Sequence, residues 1–115
     1  MQWKENTMAF NLSSKMLPNG EAEISLFGEL DASVATEFKA AVEKAAADNA
    51  KKLVLNMKDL EFMSSAGLRV LVFAKQKMGY DVDIYVIAAQ GPVRDTIEMT
   101  GFDHSVIMQD VYSAI

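Results

Sequence analysis

The sequence of 115 residues contains no cysteine and a single histidine, His104. The absence of cysteine excludes disulfides, thiolate-bound zinc and a cysteine nucleophile. One histidine excludes a metal site made of several histidines, and any catalytic triad would depend on His104. These absences narrow the chemistry that the chain can catalyse on its own.

Long hydrophobic runs are also absent. The longest purely apolar stretches, 70–74 and 84–89, are far shorter than the roughly 20 residues that cross a membrane. The first ten residues include Lys4 and Glu5 and lack the apolar segment of a signal peptide. Neither of the two common glycine-rich phosphate loops is present, which disfavours a nucleotide-binding enzyme. We therefore expect a cytoplasmic protein without membrane contact.

Half of the residues are hydrophobic, which predicts one compact domain over residues 1–115. The net charge is −5 and unevenly distributed: 4 basic and 8 acidic side chains in residues 1–50, 6 and 2 in 51–77, and 1 and 6 in 78–115. Nucleic-acid binding usually needs a larger basic excess on one face, so none is expected. We call the six cations of the middle segment the basic island; they are Lys51, Lys52, Lys58, Arg69, Lys75 and Lys77.

The first part of the chain predicts a β-hairpin followed by a helix. Apolar residues alternate over 7–16 and again from Ala22, and the turn sequence Pro18-Asn19-Gly20 joins the two runs. Helical spacing of apolar residues begins after Asp31, where either Asp31 or Ser33 can cap the first turn.

The rest of the chain alternates short apolar strands with helices. The predicted strands cover 52–57, 83–89 and 106–108, the predicted helices begin near 64 and 92, and Asp110 caps a final turn. The segment 58–61 resembles a turn. Strands separated by such helices are parallel, so the fold class is α/β. We predict a mixed sheet of about five strands with about four helices, in the order ββαβαβαβα.

Two adjacent serines, Ser64 and Ser65, stand where the second helix begins. Serine is a preferred N-cap, because its oxygen accepts a hydrogen bond from a free N–H of the first turn. Two hydroxyls exceed what a cap requires, and the small pair Ala66-Gly67 leaves the backbone open to close approach. A helix N-terminus also stabilises anions, a phosphate included. The residues alone thus indicate either a capping site or a site that accepts a phosphate.

Several segments together resemble the STAS domain of bacterial anti-sigma factor antagonists. They are Gly28-Glu29-Leu30-Asp31, Asp59-Leu60, Phe62 to Leu68 and Thr100-Gly101-Phe102. The resemblance extends from about Phe10 to Tyr112, and the family's order of elements agrees with the alternation of strands and helices described above.

The resemblance implies a partner-switching protein that catalyses nothing itself and needs no cofactor or metal. Such a protein binds an anti-sigma factor that is a serine kinase, and so releases a sigma factor. The kinase phosphorylates the antagonist, and a serine phosphatase reverses the modification. The family pattern places the phosphoacceptor at Ser65, with Ser64 as the alternative. The partner-binding residues that it implies are Asp31, Ser33, Met63, Ser64, Ala66, Gly67 and Arg69.

Two departures from the family pattern bear on this function. Ser64 occupies the place of an aspartate, and Arg69 stands where many members have glycine. Either the kinase presents an acidic docking face, or the chain is a scaffold or accessory STAS domain that is not phosphorylated. A small-ligand-binding α/β domain is a further alternative. The basic island marks the segment around Ser65 as partner-facing, and the chain is expected to be a monomer or a weak dimer.

Overall fold

A computed structural model describes residues 9–112 of the chain. Its strands are β1 (Asn11–Met16), β2 (Ala22–Leu30), β3 (Lys52–Met63), β4 (Asp83–Ile87) and β5 (Ile107–Gln109). Its α-helices are α1 (Ala35–Ala47), α2 (Ser65–Met78) and α3 (Gly91–Met99), with one 3-10 turn over Phe102–His104. No helix in this part of the chain is long and apolar enough to cross a membrane.

The predicted α/β class and strand count are confirmed, whereas the helix count is three rather than about four. The fourth helix was expected after Asp110, but residues 110–112 are not helical, and residues 113–115 lie outside the described range. The first strand begins at Asn11 rather than at residue 7. Residues 7 and 8 of that prediction also lie outside the described range.

The five strands form one sheet in the order β1-β2-β3-β4-β5. The predicted hairpin is confirmed, since β1 pairs antiparallel with β2, while every other pair is parallel. Each crossover advances by one strand in the same direction. Because such crossovers are right-handed, all three helices lie on one face of the sheet.

The core lies between that face and the helices. On β2, Ile24, Leu26 and Leu30 are buried and alternate with half-buried or exposed residues, as expected for a strand with one face inside. Phe38 of α1 and Leu71 of α2 are fully buried against them. The apolar residues that alternate along β2 and those that recur at helical spacing along α1 and α2 therefore pack together in one apolar layer.

The third strand is twice as long as the sequence predicts. The stretch 58–61 was interpreted as a turn, but β3 continues through it to Met63. The pairing with β2 shifts register twice, between Ser25 and Phe27 and between Gly28 and Glu29, and each shift gives β3 one extra residue. Such bulges interrupt the alternation of buried side chains, which is why the sequence pattern resembles a turn.

The far half of β3 lacks a strand neighbour on one side, because β4 pairs only with residues 52–56. Side chains from α3 and its N-cap meet that edge instead. Gln90 donates through Nε2 to the carbonyl of Lys58 at 2.7 Å, and Thr96 donates through Oγ1 to that of Met63 at 3.5 Å. The exposed edge that would invite another strand is thereby covered.

The second face of the sheet is partly covered by the end of the described chain. Val54 is buried there beside residues 110–112, as predicted for a strand buried on both faces. Tyr112 donates through its hydroxyl to Oε1 of Glu21 at 2.6 Å, and its ring lies edge-on to Tyr85 at 5.0 Å. Glu21 is itself buried, and Nζ of Lys52 lies 3.7 Å from its other oxygen.

Candidate partner-docking site

The predicted site residues meet where two neighbouring parallel strands end. Leu30, the last residue of β2, pairs with Met63, the last residue of β3. The amide of Ser64 donates to the carbonyl of Leu30 at 2.9 Å. The turn that begins at Asp31 and the start of α2 are therefore side by side, although 33 residues separate Asp31 from Ser64 in sequence. We call this place the β2–β3 junction.

The helix α2 packs against the junction through Gly67. A Cβ placed on Gly67 would lie 2.8 Å from Cγ of Met63 and 2.9 Å from Cγ and Cδ2 of Leu30. Real Cβ atoms do not approach so closely, and both neighbours are fully buried. The glycine thus allows the helix to sit directly on the ends of both strands.

Ser64 caps the helix, which confirms one of the two capping positions predicted from the sequence. Its backbone is extended, and its Oγ accepts a hydrogen bond from the amide of Gly67 at 3.4 Å. Ser64 is half-buried, whereas Ser65, the first residue of α2, is exposed. Of the two hydroxyls, that of Ser65 is open to solvent and that of Ser64 is engaged.

The turn at Asp31 is stabilised by its own side chain. Oδ1 of Asp31 accepts hydrogen bonds from the amide of Ser33 at 2.9 Å and from its hydroxyl at 2.6 Å. The hydroxyl bond and then the amide bond hold the pKa of the Asp31 carboxyl below its usual range, which keeps it charged. The N-cap of α1 is Val34, without a side-chain cap, so the prediction that Asp31 or Ser33 caps this helix is wrong. Both side chains bond within the turn that precedes it.

Exposure divides the seven residues that were expected to contact a partner. Asp31, Ser33 and Arg69 are exposed, while Ser64 and Ala66 are half-buried. Met63 and Gly67 are buried, so a direct contact of these two with a partner stays a prediction. They fix the position of the junction, because they pack under its surface.

A groove of about 270 Å³ between α1 and α2 begins beside the serines. It is lined by Ala35, Thr36, Lys39, Ala66, Arg69, Val70 and Phe73. Nζ of Lys39 lies 4.8 Å from the centre of the Phe73 ring, within the range of a cation–π contact. Lys39 was not among the predicted site residues, because nothing in its local sequence signals that α1 packs beside α2.

The basic island is not one surface, so its interpretation as a marker of the partner face is wrong. Arg69 lines the groove near Ser65, but Lys75 donates to the carbonyl of Val82 at 3.3 Å, near the other end of α2. Lys51 and Lys77 line a separate cavity of about 480 Å³. Lys51, Lys75 and Lys77 thus lie around Val82, away from the groove that Arg69 lines.

Phe62 is a residue that the sequence reading missed. It is 44% exposed on β3, one residue before the buried Met63. It pairs with Glu29 of β2 and is a large exposed apolar side chain close in sequence to the serines. In the sequence, Phe62 stands between the polar Glu61 and the apolar Met63. This pattern indicates an exposed aromatic residue only in a strand that extends to Met63.

Among residues 9–112, no group of three or more histidine, aspartate or glutamate side chains is placed to hold a metal ion. The junction therefore offers hydroxyls, one carboxylate and nearby cations. These groups can bind another protein and accept a phosphoryl group.

Comparisons with known proteins agree with this geometry. The family model of the STAS domain matches residues 18–115. The anti-sigma-F factor antagonist RsfB of Mycobacterium tuberculosis is 34% identical over 85 residues, which are 74% of this chain and 70% of that protein. A solved anti-sigma factor antagonist from Mycobacterium paratuberculosis has a TM-score of 0.81 at 27% identity, covering 90% of this chain and 87% of that one.

A more distant structure extends the likeness in fold. The Bacillus cell fate determinant SpoIIAA, solved in its phosphorylated form, has a TM-score of 0.68 at 22% identity, covering 90% of this chain and 92% of that one. The family match covers most of the sequence, and it includes the β2–β3 junction with the segments that carried the resemblance. The chain therefore belongs to the STAS domain family of anti-sigma factor antagonists.

Proposed function

We propose that this chain, as a single domain over residues 1–115, binds an anti-sigma factor that is a serine kinase and thereby releases a sigma factor. Phosphorylation of Ser65 breaks the complex, and a serine phosphatase restores it. The names of the relatives support the antagonist role, since RsfB and the Mycobacterium paratuberculosis protein are both described as anti-sigma factor antagonists.

The observation that carries the proposal is the exposed hydroxyl of Ser65 at the first residue of α2. It stands beside the Asp31 turn on a junction that Gly67 and the Ser64 amide hold together. Ser64 is the poorer acceptor, because it is half-buried and its Oγ already caps the helix.

The chemistry of the switch is a phosphoryl transfer from ATP held by the kinase. Oγ of Ser65 forms a bond to the γ-phosphorus, the bond from that phosphorus to the bridging oxygen of ADP breaks, and the hydroxyl proton passes to a base of the kinase. The product adds about −1.5 to −2 charges to the surface. Like charges facing each other in an interface cost several kcal/mol, and about 1.4 kcal/mol changes an affinity tenfold.

The docking surface surrounds Ser65 and consists of the exposed Asp31, Ser33 and Arg69 together with the half-buried Ser64 and Ala66. Met63 and Gly67 support it from below. In this role the chain catalyses nothing, binds no nucleic acid directly and needs no cofactor. We place it in the cytoplasm as a monomer or a weak dimer, away from membranes.

The test is to incubate the whole chain with its cognate kinase and ATP, and to measure both the intact mass and the affinity for the kinase. We expect one added phosphate that is lost in Ser65→Ala and kept in Ser64→Ala, and a binding loss of at least tenfold after modification. A phosphate that persists in Ser65→Ala would overturn the assignment of the acceptor. Failure to bind any anti-sigma factor, with a small molecule co-purifying, would favour the ligand-binding alternative.

One observation favours a second candidate, a scaffold that binds a partner without being phosphorylated. The first turn of α2 contains no acidic residue, and Ser64 occupies the place of the family's aspartate. Tight binding to the partner with no mass increase, in the wild-type chain and in both serine variants, would establish this role instead.

A further inference from the structure

Two cations line the groove beside Ser65 without a carboxylate partner in the described part of the chain. Arg69 projects from α2 and Lys39 from α1. The ion pairs found among residues 9–112 use other cations, namely Lys15, Lys44, Lys52, Arg94 and His104. Within residues 9–112, Arg69 therefore has no carboxylate partner, and Lys39 contacts only the ring of Phe73 through its charge.

The helical spacing brings Arg69 to the proposed phosphoacceptor. Ser65 and Arg69 are four residues apart on α2, so they share one face, with Cβ atoms about 5–6 Å apart. Side chains on a helix lean toward its N-terminus, which directs the long arginine side chain back to the turn of Ser65. Both residues are exposed, so no packing has to change for the two side chains to meet.

The surroundings of Ser65 contain little that would compete for the arginine. No acidic residue lies in the first turn of α2, and the position before Ser65 is the neutral cap Ser64. The Asp31 carboxylate accepts two hydrogen bonds from Ser33, both at Oδ1, and stays charged across the junction, so the effect of the arginine is measured as the difference between variants that share Asp31. A phosphate on Ser65 would thus have two cations on the groove side of the helix.

We propose that Arg69, assisted by Lys39, binds the phosphate of modified Ser65 within the same chain, at the mouth of the α1–α2 groove. Arginine suits this task because its planar fork donates two parallel hydrogen bonds to phosphate oxygens. This inference rests on the proposed function, since it requires modification of Ser65. Its consequence is that the phosphorylated chain is an internally paired state, and a phosphatase has to displace Arg69 before it acts.

The experiment is a titration of the whole chain carrying phosphoserine at position 65, introduced during synthesis and followed by phosphorus NMR. An unpaired phosphoserine has a second pKa of about 6, and we expect a lower value here. Arg69→Gln should raise the second pKa of the phosphate by about half a unit, as expected when one charge about 5–6 Å away is removed in water. Lys39→Gln should raise it less, and Arg69→Lys should keep much of the shift.

The matched control is Lys77→Gln, an exposed cation on the same helix that lines a different cavity. It should leave the phosphate pKa unchanged. An unchanged value in Arg69→Gln, or an equal shift in Lys77→Gln, would overturn the proposal. A phosphorylated chain that fails to fold would do the same, because a phosphate bound in cis stabilises the folded state.

Thermal unfolding provides a second readout. Phosphoserine at position 65 should raise the midpoint in the wild-type chain, and Arg69→Gln should abolish that gain. Neither measurement uses the kinase or an anti-sigma factor. Absence of kinase action on Ser65 would therefore contradict the proposed function and leave this pairing measurable, while an unshifted pKa would contradict the pairing alone.

Discussion

At the scale of single residues, the candidate site depends on the lack of a side chain at Gly67. Gly67 allows α2 to rest on Leu30 and Met63, the two residues that end neighbouring strands. Its value is steric, because its backbone is helical and does not need the conformational freedom of glycine. The contact joins α2 to both strands at once.

Gly67→Ala should destabilise the fold, although alanine favours helices by about 1 kcal/mol over glycine. The added Cβ would meet buried carbons at under 3 Å. Overpacking of this kind costs about 1–3 kcal/mol. We expect a net loss of up to about 2 kcal/mol in the free energy of unfolding, measured by urea denaturation.

The matched control is Gly91→Ala, since Gly91 begins α3 and has nothing within 4 Å of an added Cβ. That variant should be as stable as the wild type. Equal stability of Gly67→Ala and Gly91→Ala would contradict the steric role of Gly67.

The sequence predicted the residue types of the site more successfully than the structural role of each residue. Ser64 could be recognised as a cap, because capping is a local property of the first helical turn. The burial of Met63 could also be expected, since methionine commonly fills a core, but the close packing of Gly67 could not, because it depends on Leu30 from a distant strand. The role of Lys39 was also hidden, since it arises only when two helices pack together.

At the scale of elements, the periodicity of apolar residues predicted the helices but failed for the second half of β3. The helices α1 and α2 followed their apolar periodicity closely, because each has one buried face. The second half of β3 did not, since two bulges shift its buried positions to Met57, Leu60 and Met63. A pattern with period 2 cannot reveal a strand whose register slips twice.

The residue that follows β4, Ala88, has a left-handed conformation with φ of 58°. This conformation costs a residue with a Cβ roughly 1–2 kcal/mol, whereas glycine adopts it freely. Its amide donates to the carbonyl of Gln109 at 2.8 Å, which maintains the turn. We expect Ala88→Gly to raise the free energy of unfolding by about 0.5–1 kcal/mol. This gain is smaller than the strain that is relieved, because glycine also increases the entropy of the unfolded chain.

The same substitution at Ala40, an exposed position inside α1, serves as the control. Ala40→Gly should lose about 1 kcal/mol, since glycine is a poor helix former. Denaturation curves of the two variants should therefore shift in opposite directions. A loss of stability in both would show that the conformation of Ala88 carries no strain.

At the scale of the whole molecule, distant parts of the chain meet at Glu21. Its carboxylate precedes β2, yet it accepts a hydrogen bond from Tyr112, 91 residues later. Lys52 at the start of β3 lies beside the same carboxylate. The contact attaches the end of the described chain to the face of the sheet that lacks helices.

This contact predicts a loss of stability in alkali. Burial of the ring and then the hydrogen bond to Glu21 raise the pKa of Tyr112 to about 12, from an ordinary value of 10.0. A raised pKa means that the stabilisation is complete below about pH 10 and is lost as the pH rises toward 12. We expect Tyr112→Phe to lose about 1.5–3 kcal/mol at pH 8, as is usual for a hydrogen bond to a charged group.

Guanidinium denaturation at pH 8 and pH 11 measures both effects. The gap between the wild type and Tyr112→Phe should narrow at the higher pH. Tyr80→Phe is the control, because Tyr80 is 90% exposed and should show no difference at either pH. A gap that widens in alkali would contradict the role of the neutral hydroxyl.

The Ser64 amide offers a view of the switch that does not depend on any partner. This N–H lies one residue before the proposed phosphoacceptor and is bonded to the carbonyl of Leu30. Its proton can exchange with deuterium only when the strand ends separate, so the exchange rate reports how often they do so. If the rate is the same before and after modification, the partner senses a change of surface potential on a scaffold that does not move. Recognition would then be lost at the speed of the covalent reaction, with no slower rearrangement to follow.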